Sequence, residues 1–143
     1  MLKKNINKKI IIVICTGNSI RSQIAEGFLK KYRSNWEIRS AGTNPKGLSP
    51  ITVMVMKEKG IDIWDQESKN LDQFINSKFG YVITVCDNAK ESCPLFPGKA
   101  KTIHWNFEDP ADVKGGIEDK LFAFRKVRDK IEEKVKEFIE NNK

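Results

Sequence analysis

A run of branched apolar residues near the start of the chain constrains the fold more than any other feature. Residues 9–14 read KIIIVI and lead directly to Cys15. A stretch this apolar predicts a strand buried on both faces, and such strands belong to parallel sheets covered by helices. A short polar loop follows, and residues 21–33 then carry apolar side chains at helical spacing. The order strand, loop, helix predicts the opening unit of an α/β fold.

The rest of the chain continues this alternation. Ser49 and Pro50 mark the start of a second helix, as a cap and a first-turn proline do. We therefore predict one domain over residues 1–143, with a three-layer α/β fold and helices on both faces of a four-stranded parallel sheet. The further predicted strands are residues 36–40, 81–86 and 102–104, and the further predicted helices are residues 50–59, 71–76 and 117–141.

Composition narrows the classes of function. The longest apolar runs are far shorter than the roughly 18 residues of a membrane span. The run at residues 10–14 is also too short for the apolar region of a signal peptide, and no small-residue cleavage site follows it, so we expect a cytoplasmic protein. The net charge is +7, but 21 of the 26 basic residues are scattered lysines. This pattern favours a solvated surface over a nucleic-acid-binding face. The charge would still attract small oxyanions.

The loop after the first strand has the composition of an anion-binding site. Gly17 and Asn18 both tolerate a positive φ, which lets successive backbone N–H groups turn toward a tetrahedral oxyanion. The next helix adds its positive dipole end, and Arg21 adds a bidentate fork. These features favour a thiolate at Cys15, which we predict to be a nucleophile rather than an inert buried residue. The predicted oxyanion-binding residues are Thr16, Gly17, Asn18, Ser19, Ile20, Arg21 and Ser22.

A nucleophile of this kind also needs a general acid. Asp109 lies between aromatic residues and Pro110, and the residue before a proline is held away from the helical region. It is therefore a candidate to protonate the oxygen that leaves the anion. A plain turn is the alternative interpretation of the same residues.

The two other cysteines favour redox chemistry over a metal site. Three cysteines do not form a regular disulfide framework, and Cys86 ends a predicted strand at the same sheet edge as Cys15. Six residues separate Cys86 from Cys93, whereas paired zinc ligands prefer roughly two to four. A disulfide between them requires Cα atoms within about 7 Å, so the segment would have to bend. We predict no metal and no cofactor, and a structural role for His104.

Four motifs together point to a known family. They are CTGNSIRSQIAEG from Cys15, SAG from Ser40, VCDNAKESCP from Val85 and HWNFEDPA from His104. With them the chain resembles the thioredoxin-coupled arsenate reductases, which belong to the low-molecular-weight protein tyrosine phosphatase superfamily. The loop and the Asp-Pro pair are common to both groups, while the pair of later cysteines points to the reductases.

The resemblance implies a complete reaction. Arsenate would bind between Cys15 and Arg21, Cys15 would attack arsenic, and Asp109 would protonate the leaving oxygen. Cys86 would then attack Cys15 and release arsenite, and Cys93 would attack Cys86. Thioredoxin would reduce the final disulfide. We also expect a monomer, and phosphate or sulfate as oxyanions that compete with arsenate.

The chain departs from the family at two positions. Ile20 stands where a second loop cysteine is common, a position outside the three redox thiols. Lys69 stands at the position of an Asp that helps some relatives bind potassium together with residues matching Asn18, Glu26 and Ser40. Because the lysine ammonium could take the place of the cation, we expect no stimulation by potassium.

Two rival functions follow from the same residues. One is a phosphatase, although Ala111 follows Asp-Pro where phosphatases of this family typically carry Tyr. The other is a non-catalytic module that binds anions or nucleic acid through its basic surface. Only the reductase requires Cys86 and Cys93.

Overall fold

A parallel sheet of four strands organises the protein. The computed structural model describes residues 9–87 and 95–143. The strand order is β2-β1-β3-β4, every neighbouring pair is parallel, and central β1 is buried from Ile11 onward. The predicted α/β fold with a four-stranded parallel sheet is therefore confirmed. The strands are β1 (Ile10–Cys15), β2 (Glu37–Gly42), β3 (Tyr81–Thr84) and β4 (Lys101–His104).

Three α-helices follow the predicted order, with small differences at their ends. The Ser49 side chain accepts a hydrogen bond from the backbone of Thr52, which starts the second helix where the sequence predicted. This helix ends at Lys57, two residues earlier than predicted, and residues 71–76 form only one short 3-10 turn, Leu71–Phe74. The helices are α1 (Arg21–Tyr32), α2 (Pro50–Lys57) and α3 (Ile117–Asn141).

Several strand ends also differ from the prediction by one or two residues, and pairing with β1 explains the longest extension. β2 runs on to Gly42 because Gly42 pairs with Cys15, the last residue of β1. β3 ends at Thr84 rather than at residue 86, although the Val85 N–H still donates to the Ile14 carbonyl at 3.0 Å. The predicted fourth strand begins one residue earlier, at Lys101.

Alternating side chains of β1 divide the core into two clusters. Ile11, Val13 and Cys15 contribute to the larger cluster, which contains residues from all three α-helices. Ile12 and Ile14 contribute to the smaller one, which the Leu71–Phe74 turn and neighbouring loops cover. Among the residues that the structure describes, no helix has the length and apolar composition that crossing a membrane requires.

Candidate active site

The loop from Cys15 to Ser22 is held against the end of β2 by a close backbone approach. A Cβ atom on Gly42 would lie 2.4 Å from the Thr16 carbonyl oxygen and 2.9 Å from the Asn18 nitrogen. No side chain larger than hydrogen fits there, which explains the glycine of the SAG motif. The Asn44 N–H then donates to the Thr16 carbonyl at 2.9 Å and extends the contact into the next loop.

Asn18 is the residue that turns the loop. It has a φ of 44°, whereas Gly17 is not in the left-handed region, so only one of the two predicted residues takes this conformation. Asn tolerates it better than other non-glycine residues do. Its buried amide donates to Ser22 Oγ at 2.8 Å and to Ser40 Oγ at 2.9 Å, and its Oδ1 accepts from the Lys69 N–H at 2.7 Å.

The Cys15 sulfur lies at the centre of these contacts. Its Sγ is 2.9 Å from Ser22 Oγ and accepts a hydrogen bond from the Asn18 N–H at 3.2 Å. Because Ser22 Oγ already accepts from the Asn18 amide, its own proton is available to the sulfur. Two donors directed at one sulfur stabilise negative charge on it, as a nucleophile requires.

The start of α1 has neither a side-chain cap nor a negative charge. The cap position is Ile20, which provides no side-chain cap, and the first turn contains no acidic residue. The positive end of the helix dipole therefore lies at the end of the loop without a carboxylate beside it. This arrangement is a common site for tetrahedral anions.

Arg21 joins the loop to the segment that carries the candidate acid. The guanidinium is almost fully buried, its Nη1 donates to the Phe107 carbonyl at 3.1 Å, and its Nη2 lies 3.6 Å from Asp109 Oδ2. Asp109 caps the 3-10 turn Pro110–Asp112 by accepting from the Ala111 N–H at 3.0 Å. Arg21 and Asp109 are thus brought together, as the two roles predicted for them require.

Aromatic packing fixes the segment before Asp109. Trp105 and Phe107 are buried with their rings 6.5 Å apart, and Trp105 also meets Phe138 of α3 edge-on at 5.8 Å. His104 shares a hydrogen bond with Thr84 Oγ1 at 2.7 Å, which agrees with the structural role predicted for it.

An open cleft of about 590 Å³ lies above the loop. Asn18 and Ser22 are fully buried and are not among its lining residues, so their side chains support the loop from beneath. Thr43, Lys46 and Asp112 were missed by the sequence analysis; the Gly- and Pro-rich composition of residues 41–50 indicated a loop but not its direction. The lining residues are Cys15, Thr16, Gly17, Ser19, Ile20, Arg21, Thr43, Lys46, Asp109, Ala111 and Asp112.

The second cysteine lies at the same end of the sheet. Cys86 is fully buried, and it belongs to the same hydrophobic cluster as Cys15, which is 2% exposed. The pairing of Val85 with Ile14 aligns this segment with the end of β1. Both residues are thiols in the structure. Cys93, the third predicted redox residue, lies outside the described residues.

The surroundings of Glu26 behind the loop are also polar. Its carboxylate accepts from Ser40 Oγ at 2.5 Å and pairs with Lys30 Nζ at 2.5 Å. Lys30, rather than Lys69, therefore makes the direct ion pair. Lys69 Nζ donates instead to the Glu67 carbonyl at 2.8 Å, and burial lowers the pKa of Lys69. Within the described part of the chain, no three His, Cys, Asp or Glu residues cluster as metal ligands.

Comparison with known proteins places these features in a family. Residues 10–143 match the low molecular weight phosphotyrosine protein phosphatase family. The arsenate reductase of Halalkalibacterium halodurans is 46% identical over 138 residues, covering 96% of this chain and 99% of the relative.

Two solved structures share the fold. An arsenate reductase in its phosphate-binding state is 29% identical, with a TM-score of 0.80 over 94% of this chain and 99% of that one. A thioredoxin-dependent arsenate reductase from Corynebacterium glutamicum is 28% identical, with a TM-score of 0.69 over 94% of this chain and 61% of that one. The chain therefore belongs to the low molecular weight phosphotyrosine protein phosphatase family, and its relatives in that family include proteins named arsenate reductase.

Proposed function

We propose that the protein reduces arsenate to arsenite, with Cys15, Cys86 and Cys93 as its redox thiols. The observation that carries this proposal is the pairing of two features. Cys15 lies at the floor of the loop, and a second buried thiol, Cys86, follows two residues after the neighbouring strand β3 and belongs to the same cluster. The names of the relatives support arsenate as the substrate.

The first step is nucleophilic attack by Cys15 on arsenic. The backbone N–H groups of the loop and the guanidinium of Arg21 hold the anion oxygens, and the Cys15 thiolate forms an S–As bond. One arsenic oxygen leaves as water after Asp109 donates a proton. The hydrogen bonds from Ser22 and Asn18 keep the sulfur in place for this attack.

The second step transfers two electrons to arsenic. The Cys86 thiolate attacks Cys15 Sγ, a Cys15–Cys86 disulfide forms, and the electron pair of the S–As bond leaves with arsenic as arsenite. Cys93 then attacks Cys86 and releases the Cys15 thiolate. Two thiols are oxidised to one disulfide while As(V) becomes As(III), so the electrons balance.

A third cysteine solves a problem of access. Cys15 and Cys86 are both buried, so a protein reductant has no direct path to a disulfide between them. Transfer of the disulfide to Cys93 would move it into a polar segment. We propose thioredoxin as the reductant, supported by the thioredoxin-dependent relative from Corynebacterium glutamicum. Phosphate and sulfate, which are also tetrahedral oxyanions, are the proposed competitors for the loop.

A single turnover tests the relay. The reduced protein is mixed with arsenate without added reductant. The arsenite released is quantified, and the disulfides are identified by mass spectrometry of peptides. The wild type should yield one arsenite and a Cys86–Cys93 disulfide, and Cys93→Ser should stop at Cys15–Cys86 with one arsenite. Cys15→Ser and Cys86→Ser should yield none. Three intact thiols and no arsenite in the wild type would refute the proposal.

A phosphatase is the second candidate, favoured by the family match itself. The loop and Asp109 would serve a phosphoester as well as arsenate. Ala111, a small residue in the cleft wall, argues against a dedicated site for an aromatic phosphoester because it offers no ring to flank the substrate. Hydrolysis of p-nitrophenyl phosphate that exceeds arsenate turnover and survives in both Cys86→Ser and Cys93→Ser would favour this function.

A further inference from the structure

Lys46 is a charged residue of the cleft with no function assigned by the reaction above. It lines the cleft together with Cys15, Arg21 and Asp109. It is exposed, and its ammonium forms no hydrogen bond or ion pair within residues 9–87 and 95–143. A lysine without a partner beside an anion-binding loop is available to a ligand in a way that a paired lysine is not.

The backbone around Lys46 is fixed to the anion-binding loop itself. The Lys46 N–H donates to the Gly17 carbonyl at 2.9 Å, and Ser68 Oγ donates to the same carbonyl at 3.3 Å. The next residue, Gly47, has a φ of 86° and donates from its N–H to Ser68 Oγ at 3.1 Å. These contacts anchor the start of the Lys46 side chain beside the loop.

The side chain itself also runs along the loop. A Cβ atom built on Gly17 would meet Lys46 Cδ at 3.5 Å, an ordinary contact distance. The methylene chain of Lys46 thus passes over Gly17, and both residues line the same wall of the cleft. A lysine can pack its methylenes in this way while its ammonium stays in solvent.

The balance of charge in the cleft indicates what this ammonium does. Arg21 is already engaged by the Phe107 carbonyl and by Asp109, and Asp112 adds a second carboxylate to the wall. A phosphate-like oxyanion brings a further charge of about −1.5 to −2 at neutral pH, so an additional cation beside the backbone donors and Arg21 favours its binding here.

We infer that Lys46 recognises the substrate: its ammonium binds the outward-facing oxygens of a small, multiply charged tetrahedral oxyanion at the mouth of the cleft. This inference deepens the proposed function, since it concerns the same cleft. Lys46 does not take part in bond making. It lowers the concentration at which the oxyanion binds and offsets repulsion by the carboxylates of the outer wall.

The test separates binding from chemistry. Lys46→Met removes the charge, Lys46→Arg keeps it, and Lys57→Met removes an exposed lysine of α2 as a control of equal net charge. We expect Lys46→Met to raise KM for arsenate about tenfold with kcat nearly unchanged, as loss of a charged contact predicts. Lys46→Arg should restore most of the affinity, and Lys57→Met should behave as wild type.

A second measurement does not depend on turnover. Protection of Cys15 from iodoacetamide by inorganic phosphate gives the dissociation constant of the oxyanion directly. Lys46→Met should weaken this constant about tenfold at low ionic strength, with a smaller difference at high salt. Equal constants in wild type and Lys46→Met, or an equal loss in Lys57→Met, would overturn the inference. Lys46-dependent phosphate binding without arsenite formation would leave it standing while refuting the proposed reduction.

Discussion

The inner and outer halves of the cleft are built in opposite ways. In the inner half, Asn18, Ser22 and Ser40 are fully buried, and the Asn18 amide donates hydrogen bonds to both serine hydroxyls beneath the loop. In the outer half, Lys46 and Asp112 are exposed, Lys46 on a loop and Asp112 at the end of the 3-10 turn Pro110–Asp112. The difference suggests a division of labour, in which the buried half fixes where the sulfur and the oxyanion lie and the exposed half sets charge and proton supply.

The largest effect that tests this division is expected at Asp109. Asp109→Asn removes the proton donor, but the amide oxygen can still accept from the Ala111 N–H and keep the turn. We expect the rate of arsenite formation in a single turnover to fall about 10²-fold or more, while the unfolding midpoint falls only modestly, because Arg21 loses an ion pair at 3.6 Å but keeps its hydrogen bond to the Phe107 carbonyl. Asp112→Asn, at the other end of the same turn, is the control and should lower the rate far less. Equal losses in both variants would mean that wall charge matters rather than proton transfer.

A smaller effect is expected in the inner half, at Asn18. Asn18→Gly accepts a φ of 44° but loses the contacts to Ser22, Ser40 and the Lys69 N–H. We expect kcat/KM to fall about tenfold and the free energy of unfolding to fall by about 1–3 kcal/mol, because buried partners lose their hydrogen bonds. Asn18→Ala should lose roughly 1 kcal/mol more, since it also strains the backbone.

Urea unfolding and the rate of Cys15 alkylation check this prediction. If Asn18→Gly matched the wild type in both, the buried hydrogen bonds would be dispensable and the contrast between the halves would fail. If Asn18→Ala and Asn18→Gly were equally destabilised, the backbone strain assigned to this position would be absent.

Local sequence patterns were enough for much of the fold and for the inner site. The apolar run before Cys15 and the helical spacing of the apolar residues in α3 can be recognised without any tertiary information, because they are local properties of a buried strand and of an amphipathic helix. The position of Cys15 and Arg21 on either side of one loop follows from the same reasoning.

Features that depend on distant partners could not be predicted. The sequence did not distinguish Gly17 from Asn18 as the left-handed residue, since the choice rests on the contacts of the Asn18 amide with Ser22 and Ser40. It also did not place Lys46 at the cleft, because that position depends on a backbone contact to Gly17. Nor did it pair Lys30 with Glu26, although their spacing of four residues on a predicted helix is a usable signal.

Glu58 lies outside both halves of the cleft, so substituting it tests whether the stability of the fold can change without a change in activity. Its carboxylate accepts hydrogen bonds from Arg125 Nη2 and Arg128 Nη1, each at 2.7 Å, and ties the end of α2 to α3. The hydrogen bonds from Arg125 and then Arg128 lower the pKa of Glu58 to about 2. The stabilising effect is therefore complete above the ordinary value near 4.5 and is lost as the pH falls toward 2.

We expect Glu58→Gln to lower the free energy of unfolding at pH 7 by only about 1 kcal/mol, because the pair is partly exposed to solvent. The difference from wild type should shrink as the pH falls toward 2, and kcat/KM at pH 7 should not change. Glu133→Gln, an exposed glutamate of α3 outside the ion pairs of the described residues, is the control. A loss that does not depend on pH would contradict the assigned cause.

The smallest expected effect is the absence of any response to potassium, and it concerns the polar layer just behind the inner half, which Glu26, Ser40, Lys30 and Lys69 form. In this layer, Glu26 already accepts a hydrogen bond from Ser40 and pairs with the ammonium of Lys30. A second lysine, Lys69, lies on the adjoining segment. Two fixed ammonium groups supply the positive charge that a bound cation would otherwise provide, and they repel a further cation.

Arsenate turnover measured in sodium and in potassium buffers of equal ionic strength should therefore give the same kcat/KM. Lys69→Asp provides the positive control: it replaces one ammonium with a carboxylate, so a cation would then be attracted beside Glu26, and potassium should raise activity in this variant alone. A clear rise with potassium in the wild type would show that the lysines do not occupy the place of the cation. Equal activity of Lys69→Asp in both buffers would mean that Lys30 alone keeps the layer neutral, and the inner half would then be independent of residue 69.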